Sequence, residues 1–348
     1  MPSACLPLLT YYPGYREDMI SSANHTLAFS LVTAAFVGLV GAYVVSRWGR
    51  ALNVLDCPSE RSSHTEMTPR AGGIGIAVAG IAAAIACGLP AASWLPMGGI
   101  AALGLVDDRW HVEPRLRLVV QCLLAGASAV WLLRQTNLPV MIVVAMVIMF
   151  VLILIGTANI YNFMDGSNGM AGLMGVIVFG TLAVISLTFA KDVEIGRVAL
   201  IIAAACCGFL PLNLRGRARV FMGDVCSTFL GFTAALMALR LWMEQPVWGL
   251  CALGAMTVFY ADAGLTLLAR LRRHERLFEA HRMHAYQRLI NELGWTHPVV
   301  AVTYAGIQSA VSILILVASR WGWGAVVGML TVVVIVLSCL YWYVQKRA

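Results

Sequence analysis

Asn159, Asn162, Asp165 and Asn168 recur at every third position of one stretch, with Gly166 and Gly169 set among them. A run that is apolar throughout, 140–155, leads into it, so these polar groups fall where a membrane helix meets its boundary. Polar side chains at membrane depth are costly and face a bundle interior or a functional site. Asn159, Asn162 and Asp165 share one helix face, and the glycines just past them loosen the backbone. Such a face suits holding a cation and a phosphate at a bilayer surface. The plainer reading is a polar helix–helix contact.

Four other segments carry comparable chemistry. Asp107 and Asp108 are followed by Arg109, Arg115 and Arg117, so adjacent carboxylates stand beside guanidinium groups. They suit binding Mg²⁺ or acting as a base toward a phosphate, with the arginines on phosphate oxygens; a solvated helix end is the alternative. Arg215, Arg217, Arg219, Phe221 and Gly223 precede Asp224, which stands just before an apolar helix containing Ser227 and Thr228. Asp224 is thus an N-cap candidate as well as a metal ligand, and Phe221 offers a flat surface for a base. His281 and His284 lie three apart, yet no Cys or second carboxylate completes a zinc set. Leu277, Phe278, Met283, Leu289, Ile290 and Leu293 alternatively form an amphipathic surface helix there. In residues 61–73, His64 and Arg70 could reach anions, and Pro69 with Gly72 and Gly73 fits a tight re-entry. Each bland reading is respectable alone. All of them together, on one membrane face, are not, and the set describes a phosphoryl-transfer site.

The elements that must position these groups are membrane helices. The chain has 348 residues, 60% hydrophobic and 12% charged, with mean hydropathy +0.81, which excludes a soluble domain of this length. Eleven spans are predicted, at 27–46, 72–89, 92–106, 116–134, 139–158, 170–190, 196–213, 225–243, 247–268, 298–318 and 323–344. With the C-terminus cytoplasmic, all but six of the 24 basic residues lie inside; the six are Arg16, Arg134, Lys191, Arg197, Arg240 and Arg320. Residues 1–26 are then a periplasmic segment without a cleavable signal, and 269–297 form a cytoplasmic loop rich in His and Arg. The expectation is one all-α catalytic domain with its cleft on the cytoplasmic face. The net charge of +7 belongs to that face and would attract anionic headgroups and nucleotide diphosphates. The nine cysteines fall mostly in apolar spans and read as reduced, structural thiols.

With those residues in hand, the chain resembles the polyprenyl-phosphate N-acetylhexosamine-1-phosphate transferases. The resemblance rests on five motifs in the family's order, from Thr68–Gly73 and Gly104–Asp108 to Asn159–Gly166, Phe221–Asp224 and His281–Gln287. It implies transfer of an amino-sugar 1-phosphate from a UDP-sugar to undecaprenyl phosphate, releasing UMP, with Mg²⁺ or Mn²⁺ as cofactor. It places Asp107, Asp108, Asp165, His281 and His284 in catalysis, and Asp224, Asp108 and Asp165 near the metal. Arg70, Arg115, Asn159, Asn162, Asn168, Asn213, Phe221 and Arg282 would bind substrate, Phe221 by stacking on uracil. The implied partners are the prenyl phosphate, a UDP-N-acetyl amino sugar, the bilayer of the bacterial inner membrane and a second copy of the chain, with no nucleic acid.

Three departures stand out. Asn168 replaces a second Asp of many relatives, and Cys226 stands where Gly is common, which would crowd the turn after Asp224. The His281–Gln287 segment differs from the peptidoglycan enzyme's triple histidine. It looks more like members that begin O-antigen or capsule synthesis with GlcNAc, FucNAc or QuiNAc, which disfavours a MurNAc-pentapeptide substrate. Two other classes remain open on the residues alone. A transporter for an anionic solute expects midplane sites and paired repeats, and no internal duplication is visible. A Mg²⁺-dependent membrane prenyltransferase expects acids repeated at four-residue spacing, which Asp165 lacks.

Overall fold

The computed structural model describes residues 13–56, 67–275 and 283–347, with side chains from His25 onward. The expectations placed on His64, His281, Arg282, Leu277 and Phe278 lie outside the described residues. The chain folds into helices α1 (Pro13–Trp48), α2 (Ile74–Ala86), α3 (Ala91–Trp110), α4 (Pro114–Leu133) and α5 (Val140–Phe163). There follow α6 (Met170–Val184), α7 (Val193–Asn213), α8 (Asp224–Glu244), α9 (Pro246–Gly254) and α10 (Thr257–Arg272). A short α11 (Ala285–Asn291), α12 (His297–Ala318) and α13 (Trp323–Arg347) complete it. One element departs from an all-helical chain: β1 (Leu55–Asp56) pairs antiparallel with β2 (Thr68–Pro69).

Among the described residues, eight helices are long and apolar enough to cross a membrane. These are α1 from His25, α4, α5, α6 with the π-helical turn Ile185–Ala190, α7, α8, α12 with the turn after it, and α13. The chain is therefore a polytopic, mainly helical membrane protein. The predicted span 247–268 is not one straight rod: α9 and α10 meet at 69°. The predicted span 72–89 holds only the 13-residue α2, because Gly88 takes φ +81° and ends it. Residues 13–26 are helical, the opening turns of α1 rather than a separate segment. The loop 269–297 also differs from expectation. α11 has seven residues and buries Ala285, Tyr286 and Leu289 against the bundle, so it is docked into protein and does not lie on the lipid surface.

Hydrophobicity does not drive helices together inside lipid, so packing depends on close backbone approach. α8 is the central helix, with 89% of its apolar window buried, against 17% for α5 and 11% for α13. Glycines let its neighbours in. A side chain at Gly104 of α3 would strike the Asp224 carbonyl, and one at Gly231 of α8 would strike the Thr157 carbonyl of α5. These two contacts fix the ends of α3 and α5 against the start of α8, where the acids lie.

Candidate active site

Residues from five separated segments meet at one end of the bundle. Asp56, Arg70, Asp108, Asn162, Asp165, Ser167, Asn168, Asn213, Phe221, Asp224, Gln287 and His297 line a cleft of about 220 Å³. Every one of them lies at, or just beyond, a helix end or on the short strand pair.

The first turn of α8 organises the cleft. Asp108, at the end of α3, accepts the Asp224 N–H on Oδ1 and the Val225 N–H on Oδ2, each at 3.0 Å. Gly223 precedes them with φ +80°, and a Cβ there would collide with Asp108 Oδ2 and the Ala71 nitrogen. The cap of α8 therefore comes from Asp108, not from Asp224 as the sequence suggested. Asp224 is the first residue of the helix. Each oxygen of Asp108 accepts one backbone N–H, so it positions the start of the helix and keeps further acceptor capacity.

Asp224 keeps its own carboxylate for the cleft. Its Oδ2 accepts Arg117 Nη1 at 3.0 Å and Asn162 Nδ2 at 3.2 Å. Arg117 Nη1 also donates to Asp107 Oδ2 at 2.8 Å, and Asp107 Oδ1 accepts the Val112 N–H at 2.7 Å. Ser227 Oγ donates to Asn162 Oδ1 at 3.2 Å, so a hydrogen-bonded chain runs from Asp107 to Ser227. Arg70 seals the end of α3, donating to the carbonyls of Asp108 at 2.6 and 2.9 Å and of Asp107 at 3.0 Å.

Charge is distributed unevenly over these acids. Burial pushes Asp107 up, but hydrogen bonding around Asp224, Arg117 and the Val112 N–H outweighs it and holds Asp107 below its usual range. Burial pushes Asp108 up to about 6, although two backbone N–H groups and Arg70 oppose it. Burial, then the charges of Asp224 and Asp108, drive Asp165 well above the usual range. An acid-rich cleft of this kind gains from a cation.

The loops are stapled by amides. Asn213 Oδ1 accepts the Gly169 N–H at 2.7 Å, and its Nδ2 donates to the Val220 carbonyl at 2.9 Å. Asn168 Nδ2 donates to the carbonyls of Arg215 and Gly216 at 3.0 and 3.2 Å. A carboxylate at 168 could make neither bond, which gives the departure at this position a physical reason. Cys226 does not crowd its turn. Its side chain packs where Gly73 has none.

Three expected site residues are placed elsewhere. Asn159 Nδ2 donates to Gln121 Oε1 of α4 at 2.9 Å, a contact between helices. Arg115 is exposed and away from the cleft lining, because residues two apart on a helix point about 200° apart and Arg117 takes the inward face. His284 is 4% exposed, and its Nδ1 lies 3.3 Å from Asp262 Oδ1. Asp262 also accepts the N–H groups of Ala285 and Tyr286 and the Tyr304 hydroxyl at 2.6 Å, so it ties the start of α11 to α10 and α12. Gln287, Ser167 and His297 are the cleft groups the sequence did not single out. Ser167 Oγ lies 3.1 Å from His297 Nδ1, a pairing across 130 positions that no local pattern announces.

Among the described residues, no three His, Cys, Asp or Glu side chains form a complete protein-only metal set. Mg²⁺ does not require one, since it is held by one or two carboxylates, water and substrate phosphates. Asp224 and Asp165 fit that requirement: both line the cleft, and the charge of Asp224 adds to the need of Asp165 for a counter-charge.

The model of the family described as glycosyl transferase family 4 matches residues 91–242. The decaprenyl-phosphate N-acetylglucosaminephosphotransferase of Mycolicibacterium smegmatis is 27% identical over 313 residues, 76% of each chain. The undecaprenyl-phosphate alpha-N-acetylglucosaminyl 1-phosphate transferase of Yersinia pestis is 25% identical over 297 residues, 78% of each chain. A phospho-N-acetylmuramoyl-pentapeptide-transferase of Rippkaea orientalis is 25% identical over 338 residues, 86% of this chain and 89% of its own. The matched region contains Asp108, Asn162, Asp165 and Asp224 of the cleft lining, with Asp107 joined to them through Arg117, and over that region the chain is similar to glycosyl transferase family 4.

Proposed function

We propose that this protein transfers an N-acetylhexosamine 1-phosphate from a UDP-sugar to a polyprenyl phosphate. The observation that carries the reading is the meeting of Asp108, Asp165 and Asp224 at one membrane-boundary cleft, with Asp107 tied to Asp224 through Arg117. Relatives named for the same transfer support it. A phosphate oxygen of the lipid attacks the β-phosphorus of the nucleotide sugar. The bond to the bridging oxygen breaks, its electrons leave with UMP, and a lipid-linked sugar diphosphate remains.

The chain's own groups divide this work. Phe221 stacks on the base at the cleft wall, and Asn213 and Asn168 hold the loop that carries it. Asn162 and Arg117 fix the rotamer of Asp224 so that its second oxygen faces the diphosphate. Gln287, Ser167 and His297 form the opposite wall, where the sugar lies. The lipid phosphate has a second pKa of about 6 and arrives largely ionised, so no strong base is required. Asp165 and Asp224 are the residues that would hold Mg²⁺. When bound, the ion offsets the charge that grows on the leaving UMP.

The basic residues favour eleven passes, with α2, α3 and the bent α9–α10 pair each counted as one, and a cytoplasmic cleft in a bacterial inner membrane. The His281–Gln287 sequence favours an amino sugar such as FucNAc, QuiNAc or GlcNAc that begins an O-antigen or related envelope glycan. A transporter reading is weaker, because the acids lie at one boundary and not at midplane.

The test is UMP release by the purified protein in mixed micelles with undecaprenyl phosphate and a panel of UDP-amino sugars. Release is expected only when both substrates and Mg²⁺ are present. Equal release without the lipid phosphate would remove the transferase reading.

A further inference from the structure

A second recess lies on the other side of β2 from the cleft. It encloses about 490 Å³ between the last turns of α1, β2 and the segment after α7. Arg47, Arg217 and Arg219 line it, with Tyr43 and Ser46, and among the described residues no carboxylate does. Arg47 and Arg219 are exposed and form no ion pair among the described residues. Guanidinium groups drawn from two distant segments into one recess repel each other, and an anion relieves that repulsion. Their planar forks match phosphate oxygens.

The surroundings select the anion. Phe29, Val32, Phe36 and Val40 are exposed in one stripe along α1, and the stripe runs into Tyr43 at the recess. Tyr43 and Trp48 are also exposed, their rings edge-on at 6.4 Å. An apolar stripe ending in exposed aromatics marks the border between hydrocarbon and headgroups. A phosphate in the recess sits at headgroup depth, with apolar chains able to follow α1. Soluble phosphates would leave that stripe unused.

We propose that the recess binds an anionic glycerophospholipid of the leaflet on the cleft side. Its phosphate lies on Arg47, Arg217 and Arg219, and its acyl chains lie along the Phe29–Tyr43 stripe. The site is distinct from the cleft: Thr68 and Pro69 face the recess, whereas Arg70 faces the acids. The inference is independent of the transfer reaction and is tested without it.

The experiment is native mass spectrometry of the full chain released from nanodiscs of equimolar phosphatidylglycerol and phosphatidylcholine. Wild type is expected to retain phosphatidylglycerol over phosphatidylcholine by about fivefold or more. R47Q/R219Q should lose that preference, while R109Q/R272Q, which removes two arginines outside the recess, should keep it. If the double variant does not fold, R47Q and R219Q singly must each lower the preference. No preference in wild type, an unchanged preference in R47Q/R219Q, or equal loss in both double variants would overturn the site. Displacement of the lipid by millimolar inorganic phosphate would also overturn it, in favour of a soluble anion.

Discussion

Asp108 caps the helix that begins at Asp224, 116 residues further along the chain, with both carboxylate oxygens on backbone N–H groups at 3.0 Å. A helix start leaves its first N–H groups without partners, and a side chain just ahead of the helix ordinarily answers them. Here Gly223 has no side chain to give, and a distant carboxylate does it instead. Asp224 is thereby spared from capping. Its carboxylate turns into the cleft, where Arg117 and Asn162 hold it.

D224N keeps the shape but removes the charge. UMP release should fall by about 10²–10³-fold, the usual effect of losing one preorganised electrostatic group. The melting temperature in detergent should stay near wild type, since Asp108 still caps the helix. A steady-state assay beside a thermal melt separates the two effects, and turnover within about twofold of wild type would remove Asp224 from the site.

D108N should act on stability. An amide retains one acceptor and presents a donor to the Val225 or Asp224 N–H, leaving a buried clash worth about 1–3 kcal/mol. The pH dependence has a definite sign. Asp108 titrates at about 6 when folded, above its ordinary 3.8, so the native state holds the extra proton between those values. Its contribution is fully present below pH 3.8 and is lost as pH rises through about 6, at no more than about 1.4 kcal/mol per unit. Melting curves from pH 4 to 7 should therefore show wild type losing ground relative to D108N.

Two nearby arginines make a discriminating pair. R117Q breaks the link between Asp107 and Asp224 and should lower kcat by at least about tenfold. R115Q, on the exposed face of α4, should stay within about twofold. Equal losses in both would mean that overall basic charge, not the bridge at 2.8 and 3.0 Å, is what matters.

Asp262 predicts a different phenotype. It is 5% exposed and accepts from Tyr304 and from the N–H groups of Ala285 and Tyr286 at the start of α11. D262A orphans those donors and should cost about 2–4 kcal/mol. Hydrogen exchange at 285–291 should rise with it. A stable D262A protein with unchanged exchange and no activity would instead argue for a chemical role.

Much of this was legible because the membrane restricts the alphabet. Asp107, Asp108, Asp165 and Asp224 stand out in a chain with 12% charged residues, and their place at apolar boundaries announces one face. What each acid does was not legible. Asp108 and Asp224 exchange the roles their local sequence assigns, because the cap depends on how closely Gly104 lets α3 approach α8. His284 has the look of a ligand in sequence, yet Asp262 of α10 claims it across 22 residues. Asn159 continues the polar period of its helix but meets Gln121, since α4 covers that turn. The break between α9 and α10 follows Gly254 in a run apolar enough to pass for one span. Periodicity reports a face, and only packing decides what covers it.

The most direct measurement follows a phosphorus atom. UDP-N-acetylglucosamine, or whichever UDP-amino sugar the panel selects, is supplied with radiolabel in its β-phosphate, together with undecaprenyl phosphate and Mg²⁺. Label should move into the organic-phase lipid, with unlabelled UMP released in equal amount, and D224N should stop both. Label that remains in UDP while sugar reaches the lipid, or that appears as free sugar phosphate without lipid, would contradict the account.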